Sequence, residues 1–185
     1  MQIEDTAIPA VKLLTPRRFG DARGFFAETW NARTFAALGL DIAFVQDNHS
    51  LSDDVGTVRG LHFQAPPHGQ GKLVRCGRGA LLDVAVDIRA GSPTYGHGVT
   101  AELSAEKGRM MWIPEGFAHG FVTRLPGTEI CYKCTGFYEP SAEGAIRWDS
   151  AGIDWGLDRD PVLSPKDAEA PPLAELDTPF RGNGT

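Results

Sequence analysis

The chain has 185 residues, a net charge of -6 and 42% hydrophobic residues, which fits one folded domain with an apolar core. The acidic balance argues against a nucleic-acid partner, because binding to phosphate backbones requires a basic surface. No apolar run approaches the ~20 residues of a membrane span, and the start of the chain lacks a signal-peptide pattern. With three cysteines and no disulfide framework, the sequence predicts a cytoplasmic protein with no membrane partner.

Short apolar runs bounded by Gly, Pro, Asp or Ser predict strands, with one short helix that begins after Asn31 and ends at Gly39. The predicted strands are residues 11–19, 24–30, 42–51, 57–64, 72–77, 80–89, 99–103, 109–113, 117–124 and 129–138. Turn signals at such regular spacing are typical of antiparallel sandwiches and barrels. We therefore expect one all-β domain over residues 1–185, with an irregular Pro-rich tail at 161–185 that partly covers the barrel.

The run from Arg59 to Gln64 holds a histidine, His62, and Lys72 follows on the next predicted strand. A base and two fixed cations that converge in one pocket can remove a carbon-bound proton and stabilise the charge left on a neighbouring oxygen. The alternative is a core histidine beside two solvated charges. Arg59 and His62 have opposite parity in a regular strand, so convergence requires a bulge, which Gly60 would permit.

Strand alternation also constrains the run around Tyr132. Tyr132 and Cys134 share one face of the predicted strand, and Cys131 and Lys133 share the other. Since Tyr132 and Lys133 cannot both point into a pocket, we expect the tyrosine inside.

The spacing G-x5-P-x-G-x2-H from Gly108 to His119 resembles the second cupin motif, which marks a small jelly-roll barrel. Where the first cupin motif would place metal ligands, this chain has His62-Phe63-Gln64. His62 and His119 are the only plausible imidazole ligands, and no carboxylate stands at ligand spacing. We therefore expect a barrel without a metal.

Longer blocks, at residues 19–28, 44–50, 59–64, 70–75, 83–89, 112–121 and 132–133, resemble the dTDP-4-dehydrorhamnose 3,5-epimerases from about Ile8 to about Pro172. The resemblance implies a cupin-type jelly roll of antiparallel strands with one or two short helices. It also implies cofactor-independent epimerisation at C3 and C5 of dTDP-4-dehydro-6-deoxy-D-glucose, in dTDP-L-rhamnose biosynthesis. The C4 ketone of that sugar acidifies both protons, so the chemistry needs only proton removal and return.

By resemblance, His62 is the base, Asp167 orients it, Lys72 stabilises the enolate and Tyr132 is the acid on the opposite sugar face. The implied substrate-binding residues are Arg23, Glu28, Gln46, Asp47, Asn48, Arg59, His119, Tyr138, Glu143 and Lys166, with Tyr138 stacking on the thymine. The resemblance also implies a homodimer in which the N-terminal segment reaches the neighbouring subunit, as Arg23 and Glu28 would require. The sequence leaves open whether Asp83 orients His119 or another inward group.

Three other functions remain open at this point. A relative that acts only at C3, or on another 4-keto sugar nucleotide in a different deoxysugar pathway, would use the same base, lysine and tyrosine. A jelly roll that binds sugar nucleotides without catalysis would need Arg23, Arg59 and Tyr138 but not the four catalytic groups. A metal-dependent cupin would need a metal that the residues are not expected to hold.

Overall fold

The computed structural model describes residues 1–181 and consists of two antiparallel sheets with a separate hairpin. One sheet has six strands, the other has five, and the hairpin has two. One buried apolar cluster draws residues from both sheets, among them Val74, Ile113 and Ile130 from the first and Ala85 and Phe121 from the second. The sheets thus form the two walls of a jelly roll.

The strands are short, with three to eight residues each. Their bounds are β1 (Gln2–Asp5), β2 (Lys12–Thr15), β3 (Arg18–Asp21), β4 (Gly24–Ala27), β5 (Gln46–Ser52), β6 (Val58–Gln64), β7 (Lys72–Arg78), β8 (Ala80–Asp87), β9 (Gly98–Ser104), β10 (Met110–Ile113), β11 (Phe117–Thr123), β12 (Thr128–Cys134) and β13 (Glu143–Ala145). The six-stranded sheet has the order β1-β2-β10-β7-β12-β5, the five-stranded sheet has the order β13-β6-β11-β8-β9, and β3 and β4 form the hairpin. Two short α-helices complete the chain, α1 (Ala32–Ala37) and α2 (Pro165–Ala168). The predicted all-β class with one or two short helices is confirmed.

The predicted helix is also confirmed in place. The side chain of Asn31 accepts hydrogen bonds from the backbone N–H groups of Arg33 and Thr34 at the start of α1. Gly39 follows the helix with a φ of +80°, a conformation that favours glycine after a helix end. Phe35, fully buried, fixes the helix against the outer face of the six-stranded sheet.

Some predicted strand limits are wrong. Residues 11–19 form two strands, because the chain leaves the sheet at Pro16 and Arg17, so that β2 joins the six-stranded sheet and β3 joins the hairpin. Residues 42–45 and 135–138 lie outside β5 and β12. The sequence analysis missed β1 and β13, which are short segments without an alternating apolar face.

The segment after β13 lies across the outer face of the five-stranded sheet. Trp155 and Ile146 are buried there, and Trp148, Leu173 and Phe180 pack against them. Residues 182–185 of the predicted tail lie outside the described residues. Within residues 1–181, no helix has the length and apolar character that a membrane crossing needs.

Candidate active site

A cavity of about 430 Å³ lies between the inner faces of the two sheets. The six-stranded sheet contributes Lys72 and Tyr132 to its walls, the five-stranded sheet contributes His62 and His119, and α2 contributes Asp167. A second cavity of about 260 Å³ shares His62, Lys72 and Tyr132 as lining residues. Three of the four predicted catalytic side chains therefore stand where the two cavities meet.

An irregularity in β6 brings Arg59 and His62 to the same cavity. In the pairing with β11, His62 stands opposite His119 and Arg59 opposite Phe121, so β6 has one residue more than its partner between these pairs. Gly60 lies in this bulge with a φ of +124°, and a Cβ there would stand 2.6 Å from the Cα of Gly120. The bulge expected at Gly60 is confirmed, and only glycine fits its backbone and its space.

His62 and Asp167, which we call the open pair, join β6 to α2. Nε2 of His62 lies 2.5 Å from Oδ1 of Asp167, and the two side chains are 31% and 5% exposed. Burial acts to raise the pKa of Asp167, but hydrogen bonds from His62, Ser164 and the backbone N–H of Gly60 outweigh it and lower the pKa. Asp167 is thus an ionised carboxylate that holds the imidazole by one nitrogen and leaves the other free.

His119 and Asp83, which we call the buried pair, are 7% and 0% exposed, with Nε2 of His119 2.7 Å from Oδ1 of Asp83. Burial raises the pKa of Asp83 and lowers the pKa of His119, although each partner opposes the effect on the other. Oδ2 of Asp83 has no hydrogen-bond partner among residues 1–181. Burial therefore favours the neutral forms of both side chains in the buried pair.

Lys72, the first residue of β7, lines both cavities together with His62. Its ammonium forms no hydrogen bond or ion pair with any residue from 1 to 181. Burial lowers the pKa of Lys72, while nearby Cys134, Asp83 and Glu143 oppose that effect. A cation with unused donors in a partly dry cavity can bind an oxygen that gains negative charge.

Tyr132 faces the interior, as strand alternation predicted. It lines both cavities beside Lys72, and its ring lies 6.5 Å from that of His119. Burial raises the pKa of Tyr132, so its hydroxyl stays protonated at neutral pH and can donate. Because Tyr132 and His62 stand on opposite sheets, a sugar between them would present a different face to each.

The predicted substrate-binding residues of β5 divide between two faces. Gln46 and Asn48 point inward and line the smaller cavity. Asp47 points to the outer face, where its carboxylate binds the ammonium of Lys133 at 2.7 Å. The structure therefore does not bring Asp47 to the cavity of this chain.

Tyr138, Glu143 and Lys166 form a connected group at the cavity edge. The hydroxyl of Tyr138 donates to Oε2 of Glu143 at 3.0 Å, and the ammonium of Lys166 lies 2.5 Å from Oε1. The hydrogen bond from Lys166 is the main cause of the lowered pKa of Glu143. The ring of Tyr138 remains half exposed, which leaves a face free for stacking.

Arg23 and Glu28 lie away from both cavities in this chain. Arg23, at the tip of the hairpin, forms an exposed ion pair with Asp21. Glu28 is exposed after β4 and accepts hydrogen bonds from Asn31 and Thr34. A single chain gives neither residue a contact with the groups around His62.

No group of three or more His, Cys, Asp or Glu side chains within residues 1–181 is arranged to hold a metal ion. His62 and His119 stand opposite each other on β6 and β11, but each is bound to its own aspartate. The barrel without a metal remains a prediction.

The sequence model of the dTDP-4-dehydrorhamnose 3,5-epimerase family matches residues 5–175 of the chain. The chain belongs to this family. The predicted family and the predicted enzyme class, an isomerase, are confirmed.

Relatives within the epimerase family match along nearly the whole chain. A dTDP-4-dehydrorhamnose 3,5-epimerase from Salmonella typhimurium is 54% identical and the match covers 94% of this chain and 96% of that protein. Another from Sinorhizobium fredii is 51% identical over 98% of this chain and 94% of that protein. A crystal structure of the Legionella pneumophila dTDP-6-deoxy-D-glucose-3,5-epimerase with dTDP-4-keto-L-rhamnose has a TM-score of 0.91 at 45% identity, covering 95% of this chain and 94% of that chain.

The sequence analysis missed one residue of this epimerase-family chain that contacts a predicted catalytic group. Ser164 caps α2, and its hydroxyl lies 2.9 Å from Oδ2 of Asp167. The signal was present, because Ser164-Pro165-Lys166-Asp167 has the serine and acidic residue three positions apart that mark a helix start.

Proposed function

We propose that the chain inverts C3 and C5 of dTDP-4-dehydro-6-deoxy-D-glucose to give dTDP-4-dehydro-L-rhamnose, a step of dTDP-L-rhamnose biosynthesis. The observation that carries the proposal is the arrangement of the open pair, Lys72 and Tyr132 around one junction of cavities in a chain of this epimerase family. The relatives' names support the substrate, and the geometry supports proton transfer between two walls.

The mechanism begins with proton removal by His62. Because Nε2 is bound to Asp167, Nδ1 is the ring nitrogen left to take the proton from C3, and Asp167 stabilises the imidazolium that forms. The electron pair of the C–H bond moves into a C3–C4 double bond, and the C4 oxygen becomes an enolate oxygen. The ammonium of Lys72 stabilises that oxygen.

Return of a proton from the other wall then inverts the centre. Tyr132 donates its hydroxyl proton to the opposite face of C3 while the enolate collapses to the ketone. Solvent exchange removes the proton from His62 and restores the proton of Tyr132. The same cycle at C5 uses the same C4 ketone as the electron acceptor, so no redox cofactor is required by the electron balance.

Product analysis tests the proposed reaction. With dTDP-4-dehydro-6-deoxy-D-glucose, proton NMR coupling constants should show inversion at both C3 and C5. Inversion at C3 alone would replace the proposal with a C3 epimerase of another deoxysugar pathway. Binding of the nucleotide sugar with no inversion at either carbon would contradict an epimerase of this substrate.

We also propose that the enzyme needs no metal ion or other cofactor and acts in the cytoplasm. Lys72 supplies the positive charge that a metal would otherwise bring to the C4 oxygen. All three cysteines are free thiols, which suits a reducing compartment. Dialysis against a chelator should leave kcat unchanged, and a loss restored by a divalent cation would contradict the metal-free mechanism.

We further propose a homodimer in which the hairpin β3-β4 reaches the site of the partner subunit. Phe25 and Phe26 on this hairpin are 59% and 70% exposed, and exposed aromatic clusters of this kind mark interaction surfaces. β5 is an edge strand of the six-stranded sheet, and an edge strand is a template for pairing with another chain. The arrangement would place Arg23, a guanidinium suited to a diphosphate, near a dTDP-sugar.

Subunit mixing tests the proposed dimer. Co-expression of Arg23→Ala and His62→Asn chains creates mixed dimers in which one site carries both changes and the other carries neither. If Arg23 acts on the partner's site, the mixture should recover about a quarter of wild-type activity from random pairing. Activity no greater than the sum of the two parent variants would contradict a shared site, and light scattering should report a dimer.

A further inference from the structure

We propose that Ser164 is a positioning residue for the open pair, with its hydroxyl holding the carboxylate of Asp167 in the orientation that His62 requires. The inference rests on the proposed function, because His62 is the base in that function. It adds a group that lines the larger cavity, forms its side-chain hydrogen bonds with Asp167 and acts on His62 through that carboxylate.

The two oxygens of the Asp167 carboxylate have different partners. Oδ1 lies 2.5 Å from Nε2 of His62, and Oδ2 accepts a hydrogen bond from the hydroxyl of Ser164 at 2.9 Å. Asp167 is 4% exposed, so water has little access to replace a lost donor. A side-chain donor on each oxygen, together with the backbone N–H of Gly60, fixes the plane of the carboxylate, and the plane sets the direction of the bond to the imidazole.

Ser164 makes a second contact with the same residue. Its Oγ accepts a hydrogen bond from the backbone N–H of Asp167 at 3.2 Å as the N-cap of α2. A helix of four residues has little stability of its own, so this cap holds both the backbone and the side chain of Asp167. The two contacts must be separated to show which one matters for catalysis.

The surroundings of α2 keep the serine in register with β6. The backbone N–H of Val58 donates to the carbonyl of Val162 at 3.0 Å, and the N–H of Val162 donates to the carbonyl of Gly56 at 3.0 Å. These bonds anchor the chain two residues before Ser164. The hydroxyl of Ser164 is therefore held on a fixed backbone beside the strand that carries His62.

Loss of the hydroxyl should raise the proton affinity of the open pair. A carboxylate with one donor fewer is a less stable anion, so the pair binds its proton more tightly, and its apparent pKa rises. The remaining charged and titratable groups of the cavity stay in place when Ser164 is changed: Arg59, Lys72, His119, Tyr132 and Lys166, with Asp83 bound to His119 and Glu143 bound to Lys166. The acid limb of kcat/KM should therefore move to higher pH.

Three substitutions separate the cap from the carboxylate contact. Ser164→Thr keeps both contacts, Ser164→Ala removes both, and Ser164→Asp keeps the cap but cannot donate to Asp167 and adds a like charge. We expect kcat near wild type for Thr, a loss of roughly tenfold for Ala and a larger loss for Asp. The acid limb should shift upward by about one pH unit for Ala and further for Asp.

Ser104→Ala is the matched control, because Oγ of Ser104 accepts from the backbone N–H of Lys107, also three residues later, at 3.1 Å, and Ser104 lines neither cavity. It should leave kcat and the acid limb unchanged. If Ser164→Asp has wild-type kcat and an unmoved acid limb, Ser164 is only a helix cap and the proposal fails. Failure of the proposed function is distinct, because the wild-type enzyme would then not invert both C3 and C5, whatever the Ser164 variants do.

Discussion

Residues 1–181 contain two histidine–aspartate pairs, whose histidines stand opposite each other in one sheet, and the two pairs differ in burial. In the open pair the histidine is 31% exposed and its aspartate arrives from α2, whereas in the buried pair the histidine is 7% exposed and the aspartate lies on the adjacent strand β8. The pKa of Asp167 is lowered, but burial raises the pKa of Asp83. The same residue type therefore has its pKa shifted in opposite directions at the two positions.

The difference in burial suits the two pairs to different roles, proton transfer for the open pair and a fixed, neutral contact for the buried pair. A base must gain a positive charge and then lose it to solvent, which an ionised aspartate and an accessible imidazole permit. Burial lowers the pKa of His119, so His119 is suited to remain neutral and hold a substrate group in place. We infer that the open pair moves protons and that the buried pair shapes the cavity beside Lys72.

Lys72 stands near both pairs, and its loss should have the largest effect on catalysis. Lys72→Met keeps much of the side-chain volume but removes the charge that we propose stabilises the enolate. We expect kcat to fall roughly 10³-fold, the scale of losing one donor to a developing oxyanion. Steady-state kinetics with dTDP-4-dehydro-6-deoxy-D-glucose measures this change in kcat.

Lys12→Met is the control for Lys72→Met, because Lys12 lies on the same sheet and binds Asp5 at the surface. Its kcat should match wild type. If Lys72→Met keeps the kcat of wild type, Lys72 does not stabilise the enolate oxygen, and the proposed mechanism is wrong at this step.

The two aspartates should differ in the size of their effect. Asp167→Asn removes the charge that, in the proposed mechanism, stabilises the imidazolium of His62, and it should lower kcat about 100-fold. Asp83→Asn can still accept from His119 and should lower kcat less than about tenfold. Equal losses of kcat in the two variants, measured side by side, would contradict the inference that only the open pair transfers protons.

The smallest predicted effect is on the pH dependence of stability, and its sign differs between the two aspartates. Asp167, with a folded pKa below the ordinary 3.8, contributes stability above that pH and loses it as pH falls through the folded pKa. Asp83, with a folded pKa above 3.8, favours the fold at low pH and loses that contribution as pH rises through the folded pKa.

Thermal unfolding across pH therefore gives opposite trends. The Tm of Asp167→Asn should fall below wild type by about 2–4 °C near neutral pH, and the difference should shrink toward acid. The Tm of Asp83→Asn should improve relative to wild type as pH rises above about 4. If the Tm difference from wild type changes with pH in the same direction for both variants, the pKa values of Asp167 and Asp83 are not shifted in opposite directions.

Much of this contrast was readable from the sequence, but not all of it. Alternation placed Tyr132 inside, and the opposite parity of Arg59 and His62 predicted the bulge at Gly60 that the register shows. The same alternation could have separated Asp47 from Gln46 and Asn48, since three consecutive strand residues cannot share a face. The resemblance named all three, and the structure turns Asp47 outward.

The rest depended on tertiary contacts. Asp167 reaches His62 across 105 residues of sequence, and no local pattern specifies where the chain after β13 crosses the sheet. Asp83 is buried because the two sheets close over β8. Composition alone therefore could not predict that the pKa of Asp83 is raised. β13, three residues long, forms only because β6 offers an edge for pairing.

Solvent deuterium exchange in two histidine variants tests the central claim most directly. In deuterated water, NMR follows label entering C3 and C5 of the dTDP-4-dehydro sugar with wild type, His62→Asn and His119→Asn. The account predicts label at both carbons with wild type and His119→Asn, and at neither with His62→Asn. Label lost with His119→Asn and retained with His62→Asn would make the buried pair the proton-transfer pair and contradict the account.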